Sequence, residues 1–316
     1  MNPRFLILSS SGPDIGSGHL TRCHALQQEI IDRGHEVQHF TDSNEFDNAD
    51  VLFKNWTDLP LKTLAEEKDV VIIDSYKTTN LWLANAPLKR TLIVHMDDYG
   101  RIPYYVDVVI NSNVYFDRLN YSALECDVFG GPDYTIVRKE FRQVNKTSAN
   151  RGDTVLITFG GGNNEKLLYQ TTKWCLSIPF LNVRVIAPFG MLFNHARLVV
   201  LPSLTAEKMA EEMNRAAVVI SGSGQTLHEL ACLGRPTIGI CLDYDQEPNH
   251  KFYNSIGFLQ GNLNVNQKNL KIALLDQLHQ KLKEDSSQNF PSNLINPNGV
   301  ENVIAQVIRS FYAIKR

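Results

Sequence analysis

The sequence lacks paired cysteines. Its five, Cys23, Cys126, Cys175, Cys232 and Cys241, are odd in number and never stand as Cys-x-x-Cys, so neither a disulfide framework nor a zinc site is expected. They fit a reducing compartment, and a cytoplasmic protein is the expectation. No run approaches the ~18 apolar residues of a membrane helix, and the N-terminus shows no basic stretch followed by an apolar one; stable membrane insertion is not expected. Basic residues are scattered and the net charge is −3, which argues against a nucleic-acid partner. No internal repeat or low-complexity tract stands out. No Asp-x-Asp follows a strand in an acidic setting, and the adjacent Asp97 and Asp98 would point in opposite directions. Neither a metal nor a redox cofactor is expected.

What is present is an ordinary globular composition, 43% hydrophobic and 21% charged over 316 residues. At ~100–200 residues per domain this length favours two domains. Short runs that are apolar throughout mark strands at 4–10, 36–41, 70–74, 91–96 and 106–110, with a first helix at 20–33 whose Leu20, Cys23, Leu26, Gln27 and Ile30 share a face. A second series has strands at 154–159, 183–187, 218–221 and 237–241, with helices near 165–177, 206–215, 224–233 and 248–256. Continuous apolar strands alternating with helices belong to parallel sheets covered on both faces. The expected fold is α/β, two doubly wound Rossmann-like domains facing a central cleft. The first is expected over 1–142, with an aperiodic linker at 143–153 and the second domain over 154–316.

The first strand runs into Ile15-Gly16-Ser17-Gly18-His19-Leu20-Thr21-Arg22-Cys23. A strand passing through two glycines into a helix brings bare N–H groups and a helix N-terminus to the carboxyl edge of a sheet, a place for phosphate. The dinucleotide fingerprint needs a third glycine where this chain has Thr21, so nicotinamide and flavin are disfavoured. His19 adds a side chain that exchanges protons near neutral pH, although a histidine at a helix start is also often satisfied by a nearby carbonyl.

Other strands exit into Asp74-Ser75-Tyr76, Asp97-Asp98, Asn111-Ser112-Asn113, Gly160-Gly161-Gly162-Asn163-Asn164 and Ser221-Gly222-Ser223-Gly224. Singly, Asp97 or Asn111 after a strand is an ordinary turn former; together the exits line the edge where such folds bind ligands. Gly160–Gly162 and Ser221–Gly224 are candidate pyrophosphate cradles. Glu229, a turn and a half into the following helix, is placed to accept both ribose hydroxyl protons or simply to face solvent. Gln246 and Asn249 bring side-chain amides to the same edge.

These residues carry a resemblance. Ile15-Gly16-x-Gly18-His19-x-x-Arg22-Cys23, Ile73-Asp74-x-Tyr76, Asp97-Asp98, Asn111-x-Asn113, Gly131-x-x-Tyr134-x-x-x-Arg138-x-Glu140-Phe141, Phe159-Gly160-Gly161 and Ser221-Gly222-Ser223-Gly224 with His228-Glu229 resemble the UDP-sugar hydrolase family of pseudaminic acid biosynthesis. That family is related to the lipid II-forming N-acetylglucosaminyltransferases and has the GT-B fold. The likeness runs over roughly residues 4–260, and the first motif is its most specific part. It implies hydrolysis of UDP-2,4-diacetamido-2,4,6-trideoxy-β-L-altropyranose to UDP and free sugar, with His19 matching the family's base and Tyr76 its substrate-contacting tyrosine. Gly16, Gly18, Arg22, Asp98, Asn111 and Asn113 fall on the sugar side. Gly160, Gly161, Gly162, Ser221, Gly222, Ser223, Gly224, Glu229, Gln246 and Asn249 fall on the UDP side. In one departure, the family's usual Gly-Gly-Thr/Ser-Asp reads Gly160-Gly161-Gly162-Asn163-Asn164 here, and the lost carboxylate bears on the sugar and the acceptor.

The chemistry follows without the name. A nucleoside diphosphate leaves readily once its charge is steadied, so the missing element is an activated nucleophile. A neutral His19 beside a water on the face of C1 opposite UDP supplies it, with inversion. Asp14, Asp74 or Asp98 would orient the ring, and the sequence does not choose among them. Two other readings stand beside this one: an inverting glycosyltransferase using a UDP-N-acetylated sugar donor, and a non-catalytic sugar-nucleotide-binding protein.

Overall fold

A computed structural model describes residues 2–12, 18–43, 50–84, 91–101, 105–144, 152–160, 164–191, 193–283 and 295–314. The chain divides into two units, Met1–Val137 with Asn296–Arg316, and Arg138–Ile295.

The first unit holds a seven-stranded parallel sheet: β1 (Phe5–Ser9), β2 (Val37–Thr41), β3 (Leu52–Phe53), β4 (Val70–Asp74), β5 (Leu92–Met96), β6 (Val108–Asn111) and β7 (Asp127–Gly130), in the order β3-β2-β1-β4-β5-β6-β7. Its described helices are α1 (Gly18–Asp32), α2 (Leu61–Leu64), α3 (Asn80–Ala84) and, from the far end of the chain, a helix at Gly299–Ile314. Strand side chains alternate between faces, and both faces are covered. Phe5, Ile7, Val70, Ile72, Leu92, Val94, Val108 and Ile110 pack with Cys23, Leu26 and Ile30 of α1 and with the last helix. Leu6, Leu8, Val71, Ile73, Ile93 and Val109 pack on the other side with Trp56, Leu61, Leu64 and Leu83. Two buried faces explain why the strands read as unbroken apolar runs.

The second unit begins with α4 (Lys139–Gln143) and carries β8 (Thr154–Thr158), α5 (Glu165–Leu176), β9 (Asn182–Ile186), β10 (Leu198–Leu201), α6 (Ala206–Arg215), β11 (Val218–Gly222), α7 (Gln225–Leu233), β12 (Thr237–Cys241), α8 (Glu247–Ser255), β13 (Leu263–Asn264) and α9 (Leu270–Lys283). Its six strands run parallel in the order β10-β9-β8-β11-β12-β13. Val155, Ile157, Val183, Val185, Val218, Ile220, Ile238 and Ile240 form a core with α5 and α9.

The nine strands expected from the sequence are all present within a few residues of their expected bounds, and they are the nine interior strands. The four not anticipated, β3, β7, β10 and β13, are the edges of the two sheets. Edge strands are short and half solvated, so the buried-on-both-faces pattern fades in them: Leu52 and Phe53 are both exposed, and in β7 Asp127 is exposed with Val128, Phe129 and Gly130 half-buried. Leu198–Leu201 did offer an apolar run.

Two expected boundaries change. The units divide at Val137/Arg138 rather than after 142, so α4 belongs with the second. The last helix, α10 (Gly299–Ile314), lies in the stretch expected to belong to the second domain, though no helix is expected there from the sequence, and it packs instead in the first. Its Val300, Val303, Ile304, Val307 and Phe311 recur at helical spacing and enter the first unit's core. Gly299 allows the approach, because a Cβ there would run into the Thr135 carbonyl oxygen. Asn296 and Asn302 side-chain amides tie the entry to Asp133. Of the expected linker, residues 145–151 lie outside the described residues.

Candidate active site and nucleotide site

In the first sheet, β2 and β3 lie on one side of β1 and β4 to β7 on the other, so the winding reverses between β1 and β4. Ligands of doubly wound sheets bind at such a reversal, beyond the strand carboxyl ends. α1 opens after β1, and β4 ends at Asp74, paired with Ser9 of β1. His19 and Asp74 therefore flank the reversal, and they meet: His19 Nδ1 lies 2.6 Å from Asp74 Oδ1.

Around this pair the polar residues of three strand ends close into one buried cluster. Arg22, one turn along α1 from His19, donates through Nε to Asp74 Oδ2 at 2.6 Å and through Nη2 to Asp74 Oδ1 at 2.6 Å. Its other edge donates through Nη1 to Asp98 Oδ1 at 2.6 Å and through Nη2 to Asp98 Oδ2 at 2.9 Å. Tyr76 donates to Asp98 Oδ2 at 2.6 Å, and Asn113 Nδ2 to Asp98 Oδ1 at 2.6 Å. Asn111 accepts the Asn113 backbone N–H at 2.9 Å and donates to the Tyr121 hydroxyl at 2.7 Å. The Tyr76 ring stands edge-on to His19, centroids 4.4 Å apart at 87°. The Arg101 guanidinium lies over the Tyr76 ring, 4.5 Å from its centre. Adjacent Asp97 and Asp98 do diverge: Asp97 accepts from Gly100 N and Tyr121, away from Arg22.

Burial alone would push both carboxyls up, but the Arg22 guanidinium outweighs it, holding Asp74 well below the usual carboxylate range and Asp98 at about 2. Arg22 itself is raised by Asp74 and Asp98 against its desolvation. Tyr76 is pushed far up, first by burial and then by Asp98, so it keeps its proton and acts as a donor. An ionised Asp74 only accepts, so the His19 Nδ1 facing it carries the proton. The Nε2 lone pair of a neutral ring is then left for other work, and among the described residues it has no hydrogen-bond partner.

Thus the structure brings together His19, Arg22, Asp74, Tyr76, Asp98, Asn111 and Asn113, and among the orienters left open by the sequence it puts Asp74 on the ring. Gly18 is the first residue of α1; Gly16 and Asp14 lie outside the described residues. Sequence reasoning missed Tyr115, which donates to the Asp98 carbonyl at 2.9 Å, and Tyr121. Both sit in the loop beyond β6, where no spacing pattern marks them.

The second sheet reverses between β8 and β11, again between two expected glycine exits. Gly160, after β8, has φ +72°, a left-handed backbone that favours glycine; Gly161, Gly162 and Asn163 lie outside the described residues. β11 ends in Ser221 and Gly222, and Gly224 precedes α7 without a side-chain cap. Gln246 is oriented by two backbone donors, Ser223 N at 2.9 Å and Leu242 N at 3.3 Å, both onto Oε1. Its Nε2 therefore turns toward Gly224, 3.6 Å from where a Cβ would sit. Ser221 and Ser223 are fully buried. The Ser221 hydroxyl bonds the Gly222 carbonyl at 3.0 Å, and the Ser223 hydroxyl bonds His250 Nδ1 at 2.7 Å. What these two serines offer a ligand is turn geometry, since both hydroxyls are taken. Asn249, on the first turn of α8, is buried. Glu229 does not face solvent: it is 2% exposed and holds Arg138 through Nε at 2.6 Å and Nη2 at 3.1 Å. Arg138, whose guanidinium also lies 4.7 Å over the Phe141 ring, is a partner the sequence reading quoted without assigning. Among the described residues no cluster of three or more His, Cys, Asp or Glu has metal-binding geometry, and no helix is long and apolar enough to cross a membrane.

Two doubly wound parallel sheets, each reversing beside a glycine-bearing exit, make this a GT-B fold. Solved structures share it across nearly the whole chain. MurG of Acinetobacter baumannii superposes with a TM-score of 0.66 at 15% identity, over 97% of this chain and 100% of that one. An S. aureus MnaA-UDP co-structure gives 0.68 at 11% identity, over 99% and 98%. Within the fold the likeness is more particular: residues 196–307 match the glycosyltransferase family 28 C-terminal domain. The UDP-2,4-diacetamido-2,4,6-trideoxy-beta-L-altropyranose hydrolase of Campylobacter jejuni is 23% identical over 265 residues, 77% of this chain and 93% of that protein. An uncharacterized protein of Methanocaldococcus jannaschii is 26% identical over 281 residues, 74% of this chain, and the match spans only 55% of its length. The resemblance read from the motifs holds.

Proposed function

We propose that this chain hydrolyses a UDP-linked diacetamido-trideoxy-hexose with inversion at C1, a step of pseudaminic acid biosynthesis. The observation that carries the reading is the buried Asp74–His19 pair at the strand reversal of the first sheet. Water attacks C1 on the face opposite UDP. Its oxygen forms the new bond while the C1–O bond to the phosphate breaks, the electron pair leaving with UDP and the proton passing to His19 Nε2. Asp74 holds the ring in the tautomer that carries its proton on Nδ1 and faces the imidazolium after the transfer, and among the described residues two carboxylates against one guanidinium leave room for that positive charge. The departing pyrophosphate is assigned to the second unit, where the α7 N-terminus, Gly160 and the Gln246 amide suit developing negative charge. The similarity to the Campylobacter hydrolase supports the substrate class.

A second reading keeps the base and changes the acceptor, and the match to a glycosyltransferase domain favours it. One assay separates the two. The purified protein, given the UDP-sugar and no alcohol, is expected to release UDP, with the fresh sugar appearing in proton NMR as the opposite anomer. Turnover only after a sugar or lipid alcohol is added would make it a transferase, and retention of configuration would require a nucleophile on the protein. His19→Ala and His19→Asn are expected to lower turnover at least ~10²-fold with UDP affinity nearly unchanged; near-normal turnover in either removes His19 from the mechanism.

A further inference from the structure

The sugar-side residues expected from the motifs include Asp98, yet its hydrogen-bonding capacity is already used. A carboxylate offers about four acceptor positions. Oδ1 takes Arg22 Nη1 and Asn113 Nδ2; Oδ2 takes Arg22 Nη2 and the Tyr76 hydroxyl. A hydroxyl of a sugar would have to displace one of these charged or buried partners. We infer that Asp98 is a positioning residue for the His19 base rather than a sugar ligand, acting through Arg22 and Tyr76. The inference rests on the reading of His19 as base.

The geometry gives the route. Arg22 makes two forked pairs from adjacent edges of one guanidinium, Nε and Nη2 to Asp74, Nη1 and Nη2 to Asp98. Such bidentate pairs fix orientation as well as charge. With one edge clamped by Asp98, the other edge meets Asp74 at a set angle, and Asp74 in turn sets the His19 ring. Tyr76 supplies a second route, its hydroxyl on Asp98 and its ring against His19. Among the described residues, the charged and titratable groups facing His19 are Arg22 from its own helix, Asp74 and Tyr76 from the end of β4, and Asp98 from beyond β5. Among the described residues, Asp98 is thus the second negative charge near the ring, after Asp74.

The test compares Asp98→Asn, Asp98→Glu and the unaltered protein, by 15N-histidine NMR titration without ligand and by steady-state kinetics on the UDP-linked diacetamido-trideoxy-hexose. Asn removes a charge that favours the imidazolium, so the His19 titration is expected to move to lower pH than in the unaltered protein. Part of the base's ~10²–10⁴-fold contribution goes with it, so kcat is expected to fall at least about 10-fold while KM stays. Glu restores the charge but displaces Arg22: the titration returns toward that of the unaltered protein, kcat stays lowered and KM stays. An unmoved titration with raised KM and preserved kcat would make Asp98 a sugar ligand and overturn the inference. Should Asp98→Asn not fold, the KM-against-kcat split in Asp98→Glu decides alone. The titration reads the surroundings of His19 whether or not the ring is the base, so it separates failure of this inference from failure of the His19 mechanism, which the His19 variants test.

Discussion

At the scale of single residues, the first unit buries charge where it is matched and keeps its other buried imidazoles neutral. His39 donates from Nδ1 to Gln27 Oε1 at 2.9 Å and accepts the Ser9 hydroxyl at Nε2, 2.8 Å away; burial holds it at about 3. His95, between the Met96 carbonyl and the Thr78 hydroxyl, is held at about 4 for the same reason. A group whose folded pKa lies below its unfolded value binds fewer protons when folded, so stability present above the unfolded value is lost as pH falls. For the two histidines the loss begins near 6.5, and for Asp98 it follows between 3.8 and about 2. Each pH unit costs about 1.4 kcal/mol per such group inside its window. Urea midpoints at constant salt are therefore expected to drop steadily from pH 7 to pH 4, and His39→Gln to drop less. A midpoint independent of pH over that range would contradict neutral burial of these rings.

At the scale of elements, α7 joins a strand reversal to a carboxylate one and a half turns on. Glu229 is held by Arg138 from the segment leading into α4, which burial opposes and Glu229 more than restores as a cation. Glu229→Ala is expected to weaken UDP binding by ~1–3 kcal/mol through lost charged hydrogen bonds. Arg138→Ala leaves the carboxylate buried without its cation, so it is expected to weaken binding too, and the double variant to lose less than the sum. Calorimetry on the four proteins checks this; unaltered UDP affinity in Glu229→Ala would make the pair an internal brace of α7 alone.

At the scale of the molecule, the first unit needs the end of the chain. Five apolar side chains of α10 fill its core, and at about 1.5–3 kcal/mol each they bring roughly 8–15 kcal/mol, an upper figure yet comparable with the ~5–15 kcal/mol that holds a whole domain folded. A chain ending at Ile295 is expected to lose amide protection throughout residues 2–137 while the second unit, whose core contains no residue of α10, keeps its own. Full protection of both units would show that α10 is dispensable.

The sequence by itself determined the nine interior strands, the helix after β1 and the polar exits, because each is written in neighbouring residues: a run buried on two faces, a glycine before a helix, a histidine after it. The four edge strands were less legible, since half-solvated positions do not repeat a pattern. Only the tertiary structure decided that α10 crosses back to the first unit, for an amphipathic helix states that it needs a core and not which one. It also chose Asp74 as the partner of His19, 55 residues away, set Arg138 on Glu229, and turned Asp98 inward onto Arg22. Contacts of this kind depend on where parallel strands end side by side, and that register comes from pairing strands far apart in the chain, beyond the reach of any local spacing.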